Sequence, residues 1–413
     1  MKYRLIKIKN EWLMKGEKMK AIAMFNNKGG VGKTTLTCNL SAYIARTGKK
    51  VMLIDADPQC NSTIYCFTDD LFSKVYYDKK GFTIYDVIKP VNQGIGYVKN
   101  VEVYNLEKFG FDFLAGDPKL ALFEDTLASD WSAALSGGER GIRTTLTFNN
   151  LIKQFDDYDY VFFDMGPSLG AINRSILLSC DYFVTPMSSD IFSILAIENI
   201  GKTIKNWRDT FKEGFNRCTD TELKNIFEPI SYIQFLGYVT QQYTSKTVDG
   251  IRRPVQAYER ILSEVPMTIK RELIDIVNEK NKGNEINYEL GTIPNFNSII
   301  PLSQSAHRPA FELTSTDGIV GAHFAKVKDF KVVMDKITNQ MMINSSMANI
   351  QVNKKQVNTL DTQLSTQKKI NKPSEDPIIA IRALRLRASL NEVTQYLKKN
   401  IPDAQQWLST TQG

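Results

Sequence analysis

Residues 28–35, KGGVGKTT, constrain the fold of this chain more than any other stretch. They lie directly between an apolar run, residues 21–25, and an amphipathic segment, residues 36–45. A buried strand, a glycine-rich turn and a helix, in that order, form the setting in which a phosphate-binding loop works. Glycines let backbone N–H groups converge on phosphate oxygens, and the helix N-terminus adds the positive end of its dipole. The octet therefore predicts a site for nucleotide phosphates.

Two side chains of this loop would contribute chemistry beyond the backbone amides. Lys33 is expected to reach the outer phosphates, and the Thr34 hydroxyl is expected to ligate Mg²⁺. A glycine- and lysine-rich surface turn is the alternative, and it would require the octet and both flanks to arise by coincidence. The other residues expected to bind the nucleotide are Gly29, Gly30, Val31, Gly32 and Thr35.

The loop differs from the ordinary P-loop at one informative position. Asn27 stands where the usual pattern has its first glycine, and Lys28 adds a second lysine. This form resembles the deviant Walker A motif of the ParA/MinD/nitrogenase-iron-protein group, and the ParA branch most closely. In that family the extra lysine reaches across a nucleotide-sandwich homodimer to the partner's phosphates. The resemblance implies that Lys28 adds positive charge as an arginine finger does, so that ATP hydrolysis requires dimerisation.

Two further apolar runs end in carboxylates. Residues 51–54 precede Asp55 and Asp57, and the segment DADPQCN resembles the ParA switch pattern DxDPQxN. The resemblance implies that Asp57 lies near Mg²⁺ and the attacking water, with Asp55 as its supporting partner; an aspartate that only caps the next turn is the competing interpretation. Residues 160–163 precede Asp164, the expected Walker B carboxylate, which would bind Mg²⁺ directly or through water.

Other segments resemble ParA chains in the same order along the sequence. Gly166 stands where that family usually has proline, and we expect this to alter loop stiffness more than chemistry. Gln241 lies near a position where the family often has asparagine, so recognition of the base is less clearly indicated than recognition of phosphate. The remaining matches are residues 113–120, 165–169, 182–186, 189–193, 236–242 and 290–294.

The order of elements predicts an α/β fold. Alternating strands and helices through residue 300, beginning with the P-loop, indicate a doubly wound, mainly parallel sheet with helices on both faces. The 413 residues exceed what one core usually supports. We expect an N-terminal extension over residues 1–18, a ParA-like ATPase domain over 19–336 and a separate segment over 337–413. The extension would be a basic arm or reflect an upstream start codon, with Met19 as the natural start.

The segment from about residue 337 resembles the N-terminal region of flagellin and of the hook-associated flagellin-like protein, including the turn INKPSEDP at 370–377. Apolar residues recurring every seven positions predict a seam on a long helix, and a second stripe follows the turn. We expect a helical, hairpin-like appendage with solvated Arg382, Arg385 and Arg387. A gene fusion and an engineered junction both stay open as its origin. The seam comprises Ile343, Ile350, Val357 and Leu364, and the second stripe Leu386, Leu390, Val393 and Leu397.

Several features narrow the class of protein. Residues 135–139, LSGGE, match the signature loop of ABC transporters, but Met165 replaces the catalytic glutamate of that class, so we expect a glycine turn. With only two histidines in the sequence, a His-rich metal site is excluded. The five cysteines form no CxxC pair, which argues against an iron–sulfur carrier. They are expected to be buried thiols of a reduced cytosolic protein. No apolar run reaches the length of a membrane-spanning helix.

The charge of the chain bears on its partners. The formal net charge of +7 and the pI near 8.9 favour acidic partners such as nucleic acid. Two interpretations of the basic interval 244–287 stay open: a solvated helical face, and the non-specific DNA surface that ParA dimers present. Its cations are Lys246, Arg252, Arg253, Arg260, Lys270 and Arg271, and Glu259, Glu264 and Glu272 are interleaved with them.

The resemblance to ParA implies a nucleoid-associated cytoplasmic ATPase of plasmid or chromosome partitioning or cargo positioning, using ATP and Mg²⁺. Its partners would be a second copy in the presence of ATP, non-specific DNA and a ParB-like activator. Two other functions remain alternatives: a MinD-like membrane-surface switch and a flagellin-like filament component. A membrane switch would use a cationic amphipathic helix. The candidate stripe is Phe324, Val327, Phe330, Met334, Ile337 and Met341.

Overall fold

The computed structural model describes residues 19–188, 190–226, 233–243, 245–248, 251–254, 256–278, 286–296, 298–366 and 377–411. The expected N-terminal extension and most of the INKPSEDP turn lie outside these ranges. The chain divides into two compact units, Met1–Ser346 and Met347–Gly413.

An eight-stranded sheet forms the centre of the first unit. Its strands are β1 Lys20–Met24, β2 Val51–Ala56, β3 Tyr104–Leu106, β4 Phe111–Leu114, β5 Tyr160–Met165, β6 Tyr182–Ser188, β7 Gln234–Tyr243 and β10 Glu289–Pro294. Their order is β10-β7-β6-β1-β5-β2-β4-β3, and only β3 is antiparallel to its neighbour. Strands β8 Ser245–Val248 and β9 Ile251–Pro254 form a separate antiparallel pair.

The helices follow the strands in near alternation. They are α1 Lys33–Arg46, α2 Asn61–Cys66, α3 Asp69–Phe72, α4 Ile84–Asn92, α5 Leu122–Leu135, α6 Glu139–Thr145, α7 Thr147–Lys153, α8 Ala171–Ser179, α9 Ile191–Arg217, α10 Thr221–Ile226, α11 Gln256–Ile269, α12 Asp275–Val277, α13 Ile300–Ala306, α14 His323–Thr366, α15 Pro377–Gln395 and α16 Ile401–Thr411. Single π turns span Ser73–Tyr77, Lys270–Ile274 and Tyr396–Asn400, and 3-10 turns span Pro118–Ala121, Ala310–Glu312 and Ser315–Asp317.

The central strands are buried on both faces, which explains their nearly continuous apolar sequences. Ala21, Ala23 and Phe25 join a core cluster with side chains of α4 to α9, while the intervening Ile22 and Met24 are equally buried. Successive residues of a strand point to opposite faces of the sheet, so helices must cover both. The predicted doubly wound α/β fold is confirmed, and each apolar run assigned from the sequence forms a strand.

The structure also bears on the predictions made for the LSGGE segment, the cysteines and membrane-spanning helices. The LSGGE segment forms a glycine turn between α5 and α6, with Gly137 at φ 88°. All five cysteines are free and buried. In the part of the chain that the structure describes, no helix is both long and apolar enough to span a membrane.

The amphipathic stripe of α14 packs onto the sheet. Met334, Ile337 and Met341 are fully buried, and the Phe330 ring meets Phe296 edge-on at 5.2 Å between centroids. Phe324 alone of the six stripe residues is exposed, at 45%. Five of the six stripe residues are therefore unavailable to a membrane surface, and this stripe does not support the MinD-like alternative.

Helix α14 shows no break at residue 337, the expected start of the last segment. Asn344 donates hydrogen bonds to the carbonyls of Leu236 (2.9 Å) and Asn287 (2.8 Å), so the helix is anchored to the first unit beyond that position. The expected domain boundary remains a prediction.

The second unit is helical where the structure describes it, as predicted. Its two apolar stripes face solvent: Ile350 is 58% exposed, Leu364 79% and Leu386 72%. Arg382, Arg385 and Arg387 are exposed as well. A role in a filament stays a prediction.

Candidate nucleotide-binding site

The P-loop joins the end of β1 to the start of α1. Gly30 and Gly32 adopt left-handed backbone conformations, with φ 72° and 75°, which favour glycine because it lacks a Cβ. Asn26 fixes the entry to the loop: its side-chain amide donates to the carbonyl of Pro186 (2.8 Å) and its Oδ1 accepts from the backbone N–H of Lys28 (2.9 Å). Strand β6 therefore holds the loop in place.

The Lys33 ammonium lies inside the loop. Its Nζ donates to the backbone carbonyls of Asn26 (3.0 Å) and Lys28 (2.9 Å), and the residue is 7% exposed. Burial lowers the pKa of Lys33, although the negative charges of Asp164 and Asp57 oppose this shift. The side chain is thus a buried cation whose only described hydrogen-bond acceptors are neutral carbonyls.

Asp164 lies at the end of β5, beside the first turn of α1. Its Oδ2 accepts hydrogen bonds from the hydroxyls of Thr34 (2.7 Å) and Ser62 (2.6 Å). Burial raises the pKa of Asp164 to about 6, against the lowering effect of these two hydroxyls. Two of the three residues expected to serve Mg²⁺, Thr34 and Asp164, are therefore in direct contact.

The two switch aspartates have different environments. Asp55 is fully buried, and its Oδ2 accepts from the backbone N–H (2.8 Å) and the hydroxyl (2.7 Å) of Thr63. Burial, and then the charge of Asp164, raise the pKa of Asp55 to about 8. Asp57 lines the cavity over the P-loop, and its Oδ1 accepts from the N–H of Gln59 (2.9 Å). Asp55 therefore fixes the segment between itself and Thr63, while Asp57 faces the space where a ligand would lie.

Gly166 contributes to this geometry. A Cβ at this position would lie 3.1 Å from Asp57 Oδ1, which is tighter than ordinary van der Waals contact. The sequence interpretation assigned this glycine mainly to loop stiffness, and the structure adds that it leaves room for the Asp57 carboxylate.

The Lys28 side chain extends to the end of β6. Its ammonium forms an ion pair with Asp190 and donates to the Ser188 hydroxyl at 3.1 Å. It also lies 5.9 Å from the centre of the Phe192 ring. Burial opposes ionisation of Asp190, but hydrogen bonds from Lys28 and Ser188 bring its pKa below the ordinary value.

Two cavities meet at the P-loop. The larger, of about 610 Å³, is lined by the loop, Asp57 and, from the far end of the sequence, Gln304, Ser305 and His307. The smaller, of about 250 Å³, is largely apolar and is bounded by Leu36, Ile293, Phe296 and Phe330, with Gln241 at one side. Both share Gly32 and Thr35. Their combined size suits a small organic ligand with a polar end and an apolar end.

The structure brings the expected phosphate and Mg²⁺ residues to one edge of the sheet, where the carboxyl ends of β1, β2 and β5 meet. Sequence reasoning missed four groups of this site: Asn26, Ser62, Asp190 and the 304–307 segment. Asn26 and Asp190 carried a signal, because each is a polar residue two positions after the end of a buried strand. Ser62 and residues 304–307 had none.

No group of three or more His, Cys, Asp or Glu side chains in the described ranges could hold a metal ion by itself. Magnesium in phosphate sites is usually bound by one or two carboxylates together with the phosphates of the substrate. The pair of Thr34 and Asp164 fits that donor set.

The fold and the loop define a P-loop nucleotide-binding protein. A family model described as AAA domain matches residues 19–216, and one described as bacterial flagellin N-terminal helical region matches residues 337–413. The chromosome-partitioning ATPase Soj of Thermus thermophilus is 28% identical over 191 residues, which cover 46% of this chain and 64% of that protein. The sporulation initiation inhibitor protein Soj of Bacillus subtilis is 31% identical over 188 residues, 45% of this chain and 65% of that protein.

Among solved structures, protein DIP2308 of Corynebacterium diphtheriae is similar at a TM-score of 0.57 with 31% identity, over 70% of this chain and 97% of that one. Over residues 19–216 the chain resembles the ParA-type ATPases, and its C-terminal segment resembles the N-terminal region of flagellin. It spans slightly less than two thirds of the length of the two Soj proteins.

Proposed function

We propose that this protein is a Mg²⁺-dependent ATPase that dimerises when it binds ATP, binds DNA without sequence preference as a dimer, and releases it after hydrolysis. The observation that carries the proposal is the P-loop with two separate lysines. Lys33 is directed into its own loop, while Lys28 lies at the rim and its side chain is 30% exposed. A second, partly exposed lysine at the phosphate loop is suited to act on another subunit.

Phosphates would occupy the larger cavity. The backbone amides of residues 29–35 and the Lys33 ammonium would hold the phosphate oxygens. The present acceptors of the Lys33 ammonium are two neutral carbonyls, and a phosphate offers negative charge instead. Thr34, Asp164 and Asp57 are the residues that would serve Mg²⁺, which neutralises charge on the outer phosphates when bound. Asp55 would keep the Asp57 segment in position through Thr63.

The base would occupy the smaller cavity. Its apolar lining of Leu36, Ile293 and Phe296 suits a flat heterocycle, and Gln241 offers an amide at one side. The Gln241 side-chain amide now donates to the carbonyl of Gly32 at 3.3 Å, so it already contacts the loop that both cavities share.

Asp57 would position the attacking water. Asp57→Ala is expected to bind ATP and Mg²⁺ but to lower hydrolysis by at least about a hundredfold, since a positioned base contributes roughly 10²–10⁴-fold. The variant should accumulate as a dimer with ATP in gel filtration. The exposed Asp70 provides a matched control, and Asp70→Ala should hydrolyse as wild type. A monomeric Asp57→Ala protein that also fails to bind ATP would contradict the role proposed for this residue.

The β8–β9 pair is the candidate DNA-binding element. Three cations lie on this short hairpin, and its register places Lys246 opposite Arg253. Cations carried on two neighbouring strands favour a polyanionic ligand, because binding releases the counterions of its phosphates. Arg271, by contrast, pairs with Glu272 (2.6 Å) and Glu198 (3.3 Å), so it contributes less free charge than the sequence suggested.

The test of DNA binding is its dependence on salt. ATP-loaded protein should bind duplex DNA of any sequence, and ADP-loaded protein far less, because a dimer presents two basic surfaces at once. Replacing Lys246, Arg252 and Arg253 by Ala removes six cations from the DNA-bound dimer. The slope of log K against log salt should therefore become about 5.4 less steep, since each neutralised phosphate contributes about 0.9. ATP binding should not change.

The matched control removes the same charge elsewhere. Replacing Arg382, Arg385 and Arg387, which are exposed in the second unit, should leave the slope unchanged. If this triple variant lowers the slope and the hairpin variant does not, the DNA surface lies in the flagellin-like segment. Liposome flotation in parallel distinguishes DNA from a membrane surface as the site of binding.

A further inference from the structure

The Asp190 carboxylate is placed to bind the Lys28 ammonium of its own subunit. Its Oδ2 receives both the Lys28 ammonium and the Ser188 hydroxyl, the latter at 2.6 Å. Lys28 and Asp190 lie 162 positions apart in the sequence, on loops after β1 and β6, which are adjacent strands. The ion pair therefore depends on the fold and joins the P-loop to the start of α9.

The second oxygen of Asp190 has a separate role. Its Oδ1 accepts a hydrogen bond from the backbone N–H of Ser193 at 3.2 Å and so caps the N-terminus of α9. The cap holds the carboxylate in place whether or not Lys28 is bound to it. Lys28 can leave and return to a fixed partner.

The contact is also weak enough to open. The side chains of Lys28 and Asp190 are 30% and 34% exposed, and ion pairs in such surroundings are easily exchanged for water or another anion. Ile191, Phe192 and Leu195, on the adjoining turns of α9, are 48%, 67% and 48% exposed. A second copy that approached Lys28 would cover this apolar surface while it offered phosphates to the lysine.

We propose that Asp190 is a positioning residue that holds Lys28 in a resting position within its own subunit, so that opening of the Lys28–Asp190 ion pair precedes hydrolysis in the dimer. This inference rests on the proposed function of Lys28. It implies that the ion pair lowers ATPase activity at low protein concentration. Opening the Lys28–Asp190 ion pair costs free energy, and this cost weakens dimerisation.

The test is Asp190→Asn, which keeps an oxygen for the helix cap and removes the charge. ATP hydrolysis by the full chain is measured against protein concentration. The half-maximal protein concentration should fall by about two- to fivefold, the range that an exposed ion pair provides, while turnover at saturation is unchanged. In a Lys28→Ala background the same substitution should have no effect, because the pair no longer exists. An unchanged or higher half-maximal concentration would overturn the proposal.

Asp220 offers a closely matched control. Its Oδ1 caps α10 through the N–H of Leu223 at 3.0 Å, and its Oδ2 pairs with Arg143 at 2.9 Å. Asp220→Asn therefore removes the same kind of charge from the same kind of cap, and it should leave the concentration dependence unchanged. A shift of equal size in Asp220→Asn would show a general effect of charge and overturn the proposal.

Failure of this inference is separable from failure of the proposed function. If Lys28→Ala hydrolyses ATP as well as wild type, the role of Lys28 itself is wrong. If Lys28→Ala is inactive while Asp190→Asn matches wild type at every protein concentration, Lys28 acts as proposed and Asp190 is only a helix cap.

Discussion

Lys33→Ala is expected to weaken ATP binding by more than about a hundredfold. Lys33 is the buried cation of the loop, and each hydrogen bond to a charged group is worth roughly 1.5–3 kcal/mol. The substitution also leaves the carbonyls of Asn26 and Lys28 without the Lys33 donor, which destabilises the observed conformation of the loop. Calorimetric titration with ATP measures the effect.

The control for this result is a lysine outside the site. Lys49 lies on the surface with its Nζ 3.5 Å from Asp159, and Lys49→Ala should bind ATP as wild type does. The melting temperature of both variants without nucleotide shows whether the fold is intact. Near wild-type affinity in a folded Lys33→Ala protein would place the phosphates elsewhere.

Lys28→Ala is expected to separate binding from hydrolysis. Its ammonium contacts Asp190 and Ser188 rather than the larger cavity, so nucleotide affinity should stay close to that of wild type. Hydrolysis should fall by roughly 10³–10⁵-fold, the contribution of finger residues supplied by a partner. Single-turnover measurements at saturating ATP detect the loss, and wild-type turnover would exclude the deviant-loop role.

Mixing two inactive variants tests whether Lys28 acts on the other subunit. In a dimer of Lys28→Ala with Asp57→Ala, one site keeps its own Asp57 and receives Lys28 from the partner. In an equal mixture half of the dimers contain one subunit of each variant, and one of the two sites in such a dimer is complete. The mixture should therefore recover about a quarter of wild-type turnover. No recovery would mean that Lys28 serves its own subunit.

Much of the fold follows from local sequence. The apolar runs before Lys28, Asp55 and Asp164 predict buried strands, and their order predicts a parallel sheet. In such a sheet the carboxyl ends of the strands share one edge, so the sequence could indicate that these residues meet. The conformation of the loop was equally predictable, because Gly30 and Gly32 adopt backbone angles that other residues avoid.

The sequence is less informative about charge. In the interval 244–287 glutamates are interleaved with the cations, and the structure shows that Arg271 pairs with two acidic residues, one of them on α9. Ion pairs between distant segments depend on how helices pack, and composition does not show them. The apolar stripe of α14 posed a similar ambiguity, since a face that packs on a sheet and one that lies on a membrane have the same periodicity.

By itself, the sequence determined the class of loop, the parallel sheet and the identity of the carboxylates at its edge, because each depends on a short segment and on the alternation of strands and helices. Only the tertiary structure decided which partners those residues have. Asp190 reaches Lys28, Ser62 reaches Asp164, and residues 304–307 line the cavity over the P-loop, all across more than a hundred positions of sequence. Such contacts arise from the packing of adjacent strands and the helices that follow them, and no local pattern encodes them.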